Sequence, residues 1–384
     1  MKSSKAGLCL RGGSRAAMPI RRMRRRLLAC WGLASFTAFA GWATLPGQAR
    51  AEPLKLKVIG GLSGVNQYRS LEEPFWRSEF EALTGGRATA SIAPFDASGM
   101  RAQDMLQLIR LGVAPFGTVV MSVAEAEDPE INAVDLAGFN PDLPTLRRHV
   151  AADRDHLTAI LSQRYGVKLL AVYAYPAQVL YCAKPFSGFG DLKGRTIRTS
   201  SVTQSDLFEA LGAKTVVTPF AEIVPAIRKG VVDCAVTGTL SGNENGLAEI
   251  ATHLSPMAIN WGLSIFAANE AAWLALPPDI QAAAEKGISG LEKRIWEAAD
   301  ADTVRGIDCN IGRSSCPPGQ RRAMQLVPSS ADDERLRGTV LESSVLPHWI
   351  QRCGDGCASI WSNTSPQKAA TAKPAAAAGP LVRP

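Results

Sequence analysis

The sequence is poor in the residues and motifs that mark common enzymes. Its 384 residues include only four histidines, and no HExxH zinc motif, GxSxG nucleophile turn or CxxC redox pair occurs. A metalloprotease, a serine hydrolase or a thioredoxin-like oxidoreductase therefore has little support. The histidines stand in helix-like or loop segments, where a packed or solvated role is expected: His149, His156, His253 and His348.

Acidic residues are missing from the first 51 positions, and this asymmetry decides how the net charge of +7 is interpreted. Ten of the 42 lysines and arginines lie in residues 1–51, which leaves 32 basic residues against 35 acidic ones in the rest of the chain. The body of the protein is therefore slightly acidic. A general affinity for nucleic acid, which the overall positive charge would otherwise suggest, loses its main support.

The N-terminal segment has the pattern of an export signal. A basic cluster at 21–26 precedes a mostly apolar stretch at 27–45, and the small residues Ala49 and Ala51 follow. We predict a signal peptide over residues 1–51, cleavage after Ala51, and a periplasmic location reached by the Sec or the twin-arginine (Tat) route. A retained membrane anchor is the alternative, because the apolar stretch is nearly long enough to span a bilayer.

Six cysteines remain after this cleavage, an even number in a chain directed to an oxidising compartment. Disulfides are the default expectation there, although spacing alone leaves every pairing open. Metal binding is the weaker alternative, because no zinc-type spacing of cysteine and histidine is present. The spacing favours three pairs: Cys182 with Cys234, Cys309 with Cys316, and Cys353 with Cys357.

The mature chain alternates strand-like and helix-like segments. The apolar pattern predicts a strand at 54–59, helices at 74–83 and 99–112, and, after further alternation, a long amphipathic helix at 278–298. Such an order is typical of an α/β fold. The Ala/Pro-rich tail at 362–384 has no face that could pack, and we expect it to be disordered.

The stretch at 191–234 carries the most informative motifs. It contains DLKG, then IR, ALGA, PFAE and GVVD, and the chain has TGGR upstream of it and WLALPPDIQ downstream. In this order and spacing the sequence resembles the substrate-binding proteins of tripartite ATP-independent periplasmic (TRAP) transporters, DctP type. The resemblance covers about residues 54–300.

The resemblance implies an α/β solute-binding protein over 52–361, with two lobes, a ligand cleft between them and closure on ligand capture. Lobe I would comprise about 52–175 and 264–300, lobe II about 176–263, and the segment 301–361 would pack on lobe II. It further implies that the protein captures a small organic acid in the periplasm and delivers it to the small and large integral membrane subunits of a TRAP permease. This function requires no metal, nucleotide or redox cofactor and no nucleic acid.

Arg198, in the IR motif, is implied to be the main ligand anchor. A guanidinium fork fits a planar carboxylate with two parallel hydrogen bonds and keeps its charge. The sequence departs from the family pattern at two positions. Gln178 stands where some members carry a second arginine, and Thr237 stands where the family commonly has an asparagine. Both departures indicate a less charged or differently shaped acid.

Other polar and aromatic residues are further candidates for the cleft. By the same resemblance, Ser201 follows the arginine strand and Phe220 stands where an aromatic ring often packs on the ligand. Loops after strands are common ligand sites in α/β sheets, and the residues just after the first strand offer hydrogen bonds at the cleft mouth: Asn66, Gln67 and Tyr68. Tyr173, Tyr175 and Trp261 are candidates for flat apolar walls of the cleft, with packing in the core as the alternative for each. A periplasmic sensor or scaffold with the same fold is the alternative function, and a secreted hydrolase is a more distant one.

Overall fold

A computed structural model describes residues 52–353 and 355–364. The predicted signal peptide and residues 365–384 of the predicted tail lie outside the described residues. The last described helix runs to Thr364. The tail was predicted to begin at residue 362, and its first three residues are helical instead.

The described strands are β1 (Leu54–Gly60), β2 (Ala88–Pro94), β3 (Phe116–Val120), β4 (Val167–Ala174), β5 (Gln178–Cys182), β6 (Thr196–Thr199), β7 (Lys214–Val217), β8 (Cys234–Gly238), β9 (His253–Asn260), β10 (Leu263–Asn269) and β11 (Gln325–Leu326).

The described α-helices are α1 (Phe80–Leu83), α2 (Met105–Arg110), α3 (Met121–Ala124), α4 (Leu143–Tyr165), α5 (Val202–Ala210), α6 (Ile223–Arg228), α7 (Thr239–Glu244), α8 (Glu270–Leu274), α9 (Pro278–Asn310), α10 (Ala331–Val340), α11 (Leu346–Cys353) and α12 (Asp355–Thr364). Short π-helical segments lie at Tyr68–Glu72, Phe75–Glu79 and Leu341–Val345, and short 3₁₀ segments at Phe95–Ala97, Ala102–Asp104, Pro129–Asp135, Phe189–Leu192, Phe220–Glu222, Leu247–Glu249 and Pro318–Gln320.

The strands form two sheets. The first sheet has the order β2-β1-β3-β10-β4, and the second has the order β11-β9-β5-β8-β6-β7. In the first sheet β1 is parallel to β2 and β3, whereas β10 runs antiparallel to β3 and β4. The chain therefore passes from the first sheet to the second between β4 and β5, and returns between β9 and β10.

The long helix α9 runs past both sheets. It was predicted to end at residue 298, but it continues to Asn310. Its first part packs on the first sheet through Ile288, Leu291 and Ile295. Its last part packs on α7 at Gly306, where a β-carbon would stand 2.2 Å from the backbone nitrogen of Leu240. Only glycine permits this close approach, so the extension is fixed by a tertiary contact that the apolar period does not show.

The apolar core has parts in both halves of the molecule. Phe75, Trp76 and Phe80 are buried between the first sheet and α9. A second cluster, under the second sheet, includes Phe208 and Trp349. A third cluster contains residues of both sheets, so apolar contact is continuous between the two halves. No helix among the described residues has the length and apolar character needed to cross a bilayer.

The three cysteine pairs that the spacing favours are bonded in the structure. The first joins residues directly opposite each other on β5 and β8, the second closes the loop after α9, and the third links α11 to α12: Cys182–Cys234, Cys309–Cys316 and Cys353–Cys357. These bonds staple the second sheet and the C-terminal part of the described chain.

Candidate functional site

Arg198 lies in β6, between β7 and β8 of the second sheet, and is only 3% exposed. Its Nε donates to the carbonyl of Thr218 at 3.0 Å and its Nη1 to the carbonyl of Val236 at 2.8 Å, while Nη2 also donates to Thr218. An arginine has more N–H donors than these bonds use. One N–H on each terminal nitrogen is therefore left without a partner among the described residues.

The charge of Arg198 is not balanced within the described chain. Burial alone lowers the pKa of Arg198 to about 9, and no neighbouring carboxylate acts against that shift. The guanidinium therefore remains cationic at neutral pH. A buried charge without a counter-charge is costly, so an anion that reached this guanidinium would be bound strongly.

Thr237 lies on β8, directly beside the Arg198 strand, whereas Gln178 lies on β5, and β8 separates it from β6. The Gln178 amide donates to the carbonyl of Pro176 at 2.9 Å and approaches that of Trp261 at 3.4 Å. Gln178 therefore contacts the segment between β4 and β5, at Pro176, and the segment between β9 and β10, at Trp261. Thr237 is buried in β8, next to Val236, whose carbonyl accepts from Arg198. Neither residue carries a positive charge, so neither provides a second cationic clamp.

Phe220 connects this region to the first sheet. It follows Thr218, whose carbonyl holds Arg198, and its ring lies 3.3 Å from the position that a β-carbon on Gly64 would take. Gly64 belongs to the loop after β1. The ring therefore bridges the two halves of the molecule beside the arginine, as expected for an aromatic wall of the cleft.

Ser201 acts as the N-cap of α5. Its hydroxyl accepts a hydrogen bond from the backbone N–H of Gln204 at 3.1 Å, the usual way to satisfy the first turn of a helix. The hydroxyl also lies 3.2 Å from that of Thr203. The structure gives Ser201 this structural role and places it two residues after the strand that carries Arg198.

Trp261 and Asn66 are engaged in contacts within the protein. The Trp261 indole N–H donates to the carbonyl of Asn140 at 3.2 Å. The Asn66 amide donates to Asp302 of α9 at 2.7 Å and accepts from the hydroxyl of Ser70 at 2.7 Å. Both side chains therefore make contacts at the junction of the sheets, and a role of either residue in ligand binding stays a prediction.

Tyr175 lies in the first crossing between the sheets and is 7% exposed. Its hydroxyl has no hydrogen-bond partner among the described residues. It borders a small cavity of about 10 Å³, room for one water molecule, which Gln67, Ser241 and Asp302 also line. Among the candidate cleft residues named from the sequence, Gln67, Tyr173 and Tyr175 keep unused hydrogen-bonding capacity.

Two buried carboxyl groups hold the second crossing and the start of α5. Asp135 accepts from the backbone N–H groups of Trp261 and Gly262 at 2.9 and 2.7 Å. Glu125 accepts from Val202 N–H at 3.0 Å and from the Asn132 amide at 2.6 Å. Burial raises the pKa of each carboxyl to about 7, because the hydrogen bonds that each accepts, and for Glu125 also the charge of Arg352, offset only part of the loss of water.

The sequence analysis missed these acids and a third one, Glu72. The Glu72 carboxyl is fully buried and accepts from Gly61 N–H at 2.9 Å and from the Thr118 hydroxyl at 2.5 Å. Glu125 stands in an acid-rich stretch and Glu72 beside a second glutamate, patterns typical of solvent-exposed segments. No local sequence signal distinguishes them from surface acids, because their burial depends on the tertiary fold.

A family model described as bacterial extracellular solute-binding protein, family 7 (DctP), matches residues 66–305, more than half of the chain. The chain belongs to the DctP family. This confirms the resemblance drawn from the motifs at 191–234. Members of the DctP family are solute receptors rather than enzymes, and as a group they serve TRAP transporters in the periplasm.

Solved structures share the fold. DctP7 of Bordetella pertussis, a solute receptor described as binding pyroglutamic acid, is 18% identical, with a TM-score of 0.72 over 81% of this chain and 99% of that chain. A TRAP periplasmic solute-binding protein of Rhodoferax ferrireducens with bound malonate is 20% identical, with a TM-score of 0.71 over 82% and 98%. The likeness confirms the predicted two-lobed α/β fold with its cleft.

A curated relative matches part of the chain. The uncharacterized protein y4mM of Sinorhizobium fredii is 24% identical over 232 residues, which are 58% of this chain and 41% of that relative. The match therefore spans less than half the length of the relative.

Proposed function

We propose that this DctP-family protein captures a small organic acid in the periplasm and delivers it to the small and large membrane subunits of a TRAP permease. The observation that carries the proposal is the buried guanidinium of Arg198, which has N–H donors to spare and no carboxylate partner among the described residues. A ligand carboxylate would supply both the missing charge and the missing acceptors.

Two further observations support this proposal. Receptors of the same fold are described with bound pyroglutamic acid and malonate, both carboxylic acids. Phe220 places an aromatic ring where the two halves meet, beside Arg198. We further propose that residues 52–175 and 264–300 form lobe I, that 176–263 form lobe II, and that 301–361 pack on lobe II. The anchor would then belong to lobe II.

Calorimetric titration of the purified protein with a panel of acids, including pyroglutamate and malonate, tests the anchor. The protein is first unfolded and refolded to remove any carried-over ligand. For an acid that binds, Arg198→Gln is expected to weaken affinity about 100-fold, because truncating one partner of a buried charge pair costs roughly 2–5 kcal/mol. Unchanged affinity in Arg198→Gln, or binding of neutral solutes only, would contradict the proposal.

Arg195→Gln is the matched control. Arg195 lies just before the same strand and also donates to backbone carbonyls, those of Lys184 and Pro185. Its loss removes the same charge and a similar set of bonds at a more exposed position, so affinity should stay within about twofold of wild type. Delivery is tested in the cell. Deletion of the gene should abolish uptake of the bound acid, whereas a sensor would change a response and leave uptake intact.

A further inference from the structure

A group of uncharged polar side chains is buried at the edge of the first sheet where the chain crosses to the second. Gln67, Tyr173, Tyr175 and Ser264 are each less than 9% exposed. Both polar atoms of the Gln67 amide and the hydroxyls of the other three residues have no hydrogen-bond partner among the described residues. Buried polar groups in folded proteins nearly always have a partner, so a group of four such side chains calls for one.

These four side chains lie together, and we call them the neutral pocket. Ser264 and Tyr173 are cross-strand neighbours on β10 and β4. The Tyr175 hydroxyl interacts with the side chains of Ser264 and Gln67 through hydrogen bonds of poor geometry, which leave these groups incompletely satisfied. The four side chains therefore form one polar cluster beside the cavity of about 10 Å³ that Gln67 and Tyr175 line.

Gly61 and Glu72 border the same space. A β-carbon on Gly61 would stand 3.1 Å from Glu72 Oε2 and 3.4 Å from the Tyr175 hydroxyl. The absence of a side chain at Gly61 therefore keeps room beside these two oxygens. The Glu72 carboxyl is held by Gly61 N–H and the Thr118 hydroxyl, and no cation balances it. The pocket therefore presents hydrogen-bonding groups, and the only charge that Glu72 can bring to it is negative.

The neutral pocket adjoins the proposed carboxylate anchor. Gln67 lies in the same segment as Gly64, on which Phe220 packs, and Phe220 follows the residue whose carbonyl holds Arg198. On the other side, Tyr175 N–H donates to Gly262 at 3.0 Å. A β-carbon on Gly262 would lie 3.4 Å from the amide nitrogen of Gln178, which belongs to β5 of the second sheet. Anchor and pocket thus flank the same junction of the two sheets.

We propose that the neutral pocket is a second ligand subsite, which binds an uncharged polar group of a monocarboxylate whose carboxylate pairs with Arg198. The inference rests on the proposed function and narrows its substrate class. An amide, lactam or hydroxyl group fits the unused donors and acceptors. A second carboxylate does not, because it would meet Glu72 and find no cation in the described pocket.

Calorimetry with matched acids tests the subsite. Pyroglutamate is compared with cyclopentanecarboxylate, which has the same ring size without the lactam, and 4-hydroxybutyrate with pentanoate, in which a methyl replaces the hydroxyl. In at least one pair the wild-type protein should prefer the polar acid by about tenfold or more, because a site built for hydrogen bonds rejects an analogue that leaves them unpaired. Malonate should bind more weakly than the preferred acid.

Variants locate the preference. Tyr175→Phe and Ser264→Ala should each reduce the ratio of affinities within the pair at least about threefold, and Gly61→Ala should do so by filling the space. Affinity for the apolar member should change less than about twofold. Tyr165→Phe is the control, since that hydroxyl binds Asp128 at 3.3 Å, away from the pocket. A ratio is measured within each variant, so a general loss of stability cannot imitate the effect.

The outcomes separate this inference from the proposed function. If acids bind through Arg198 but both members of each pair bind equally, or if the pocket variants leave the ratio unchanged, the subsite is wrong and these side chains do not contact the ligand. If no acid binds, or binding does not depend on Arg198, the proposed function fails and the subsite fails with it. A preference that only the pocket variants reduce supports both.

Discussion

Arg198, Glu125 and Asp135 are buried without a full counter-charge nearby, and their charges respond differently to pH. Arg198 keeps its charge at neutral pH even though burial lowers its pKa to about 9. Glu125 and Asp135 have pKa values raised to about 7 by burial. The carboxyls that hold the start of α5 and the second crossing therefore change charge near neutrality, whereas the proposed ligand anchor does not.

This difference predicts that Glu125→Gln alters the pH dependence of stability. The pKa of Glu125 is about 7 in the folded protein against an ordinary value of 4.5, so between these values the folded state holds a proton that the unfolded state has lost. Stability must then fall as pH rises through that window and stay low above it. The full shift corresponds to roughly 3 kcal/mol.

Urea unfolding at pH 5 and pH 8 measures the effect. Glutamine keeps an acceptor for Val202 N–H, so Glu125→Gln should fold. Between pH 5 and pH 8 its free energy of unfolding should fall by roughly 3 kcal/mol less than that of wild type. Glu127→Gln, at an exposed position two residues on, should follow the wild-type curve. If the stability of Glu125→Gln falls as steeply as that of wild type, the Glu125 carboxyl of the wild-type protein must already be ionised in the folded state at pH 5.

The same residues show how far sequence reasoning reaches into the site. Arg198 could be singled out because it belongs to an ordered set of motifs. Gln67 was singled out because it follows the first strand, and Tyr175 because its ring is suited to a flat wall of the cleft. Glu72 and Ser264 were not found, because a buried acid in a polar helix and a serine in an apolar strand have no distinctive local pattern. Their roles arise only when the crossing brings them together.

At the scale of elements, the bond between Cys182 and Cys234 is the most consequential staple, because it joins β5 and β8 across a separation of 52 residues. The bond between Cys309 and Cys316 closes a separation of only 7. In the chain-entropy model a longer closed loop restricts the unfolded chain more, by about 4 kcal/mol for the first bond and about 2 kcal/mol for the second. We therefore predict a larger loss of stability when the first pair is replaced by alanine.

The two bonds form a matched comparison. All four cysteines are at most 1% exposed, so each double alanine variant also loses similar buried sulfur atoms. Urea unfolding without reductant should show the Cys182/Cys234 variant to be less stable than the Cys309/Cys316 variant by about 2 kcal/mol. Equal losses would mean that loop closure does not control the stabilisation here.

Elements were predictable where the apolar period is local. The amphipathic pattern placed the start of α9 at Pro278, and the strand pattern placed β1 almost at its observed bounds. The continuation of α9 to Asn310 was not predictable, because it depends on the contact of Gly306 with α7. Local periodicity specifies which segments are helices and strands, and tertiary contacts then decide where they end.

At the scale of the whole molecule, the proposed function requires the two halves to approach each other around the ligand. Arg69, beside the first sheet, forms an ion pair of 2.5 Å with Glu244 of α7, beside the second. Arg305 of α9 is a second, longer partner of Glu244 at 3.5 Å. If opening of the cleft separates the two halves, Glu244 loses its contact with Arg69 but keeps its contact with Arg305. The ion pair with Arg69 therefore favours the closed arrangement.

We predict that Arg69→Gln weakens ligand affinity about two- to fivefold without a comparable loss of folding stability. An exposed ion pair contributes roughly 0.5–1 kcal/mol, and the apparent affinity for the ligand scales with the population of the closed state. Small-angle scattering of the ligand-free variant should give a larger radius of gyration than wild type, and saturating ligand should remove the difference. Arg77→Gln is the control, since it breaks the pair with Glu73 within one helical segment. If both variants bind and scatter like wild type, the pair with Glu244 does not bias closure, and the energy for closing the cleft must come from the ligand's contacts with Arg198 and Phe220.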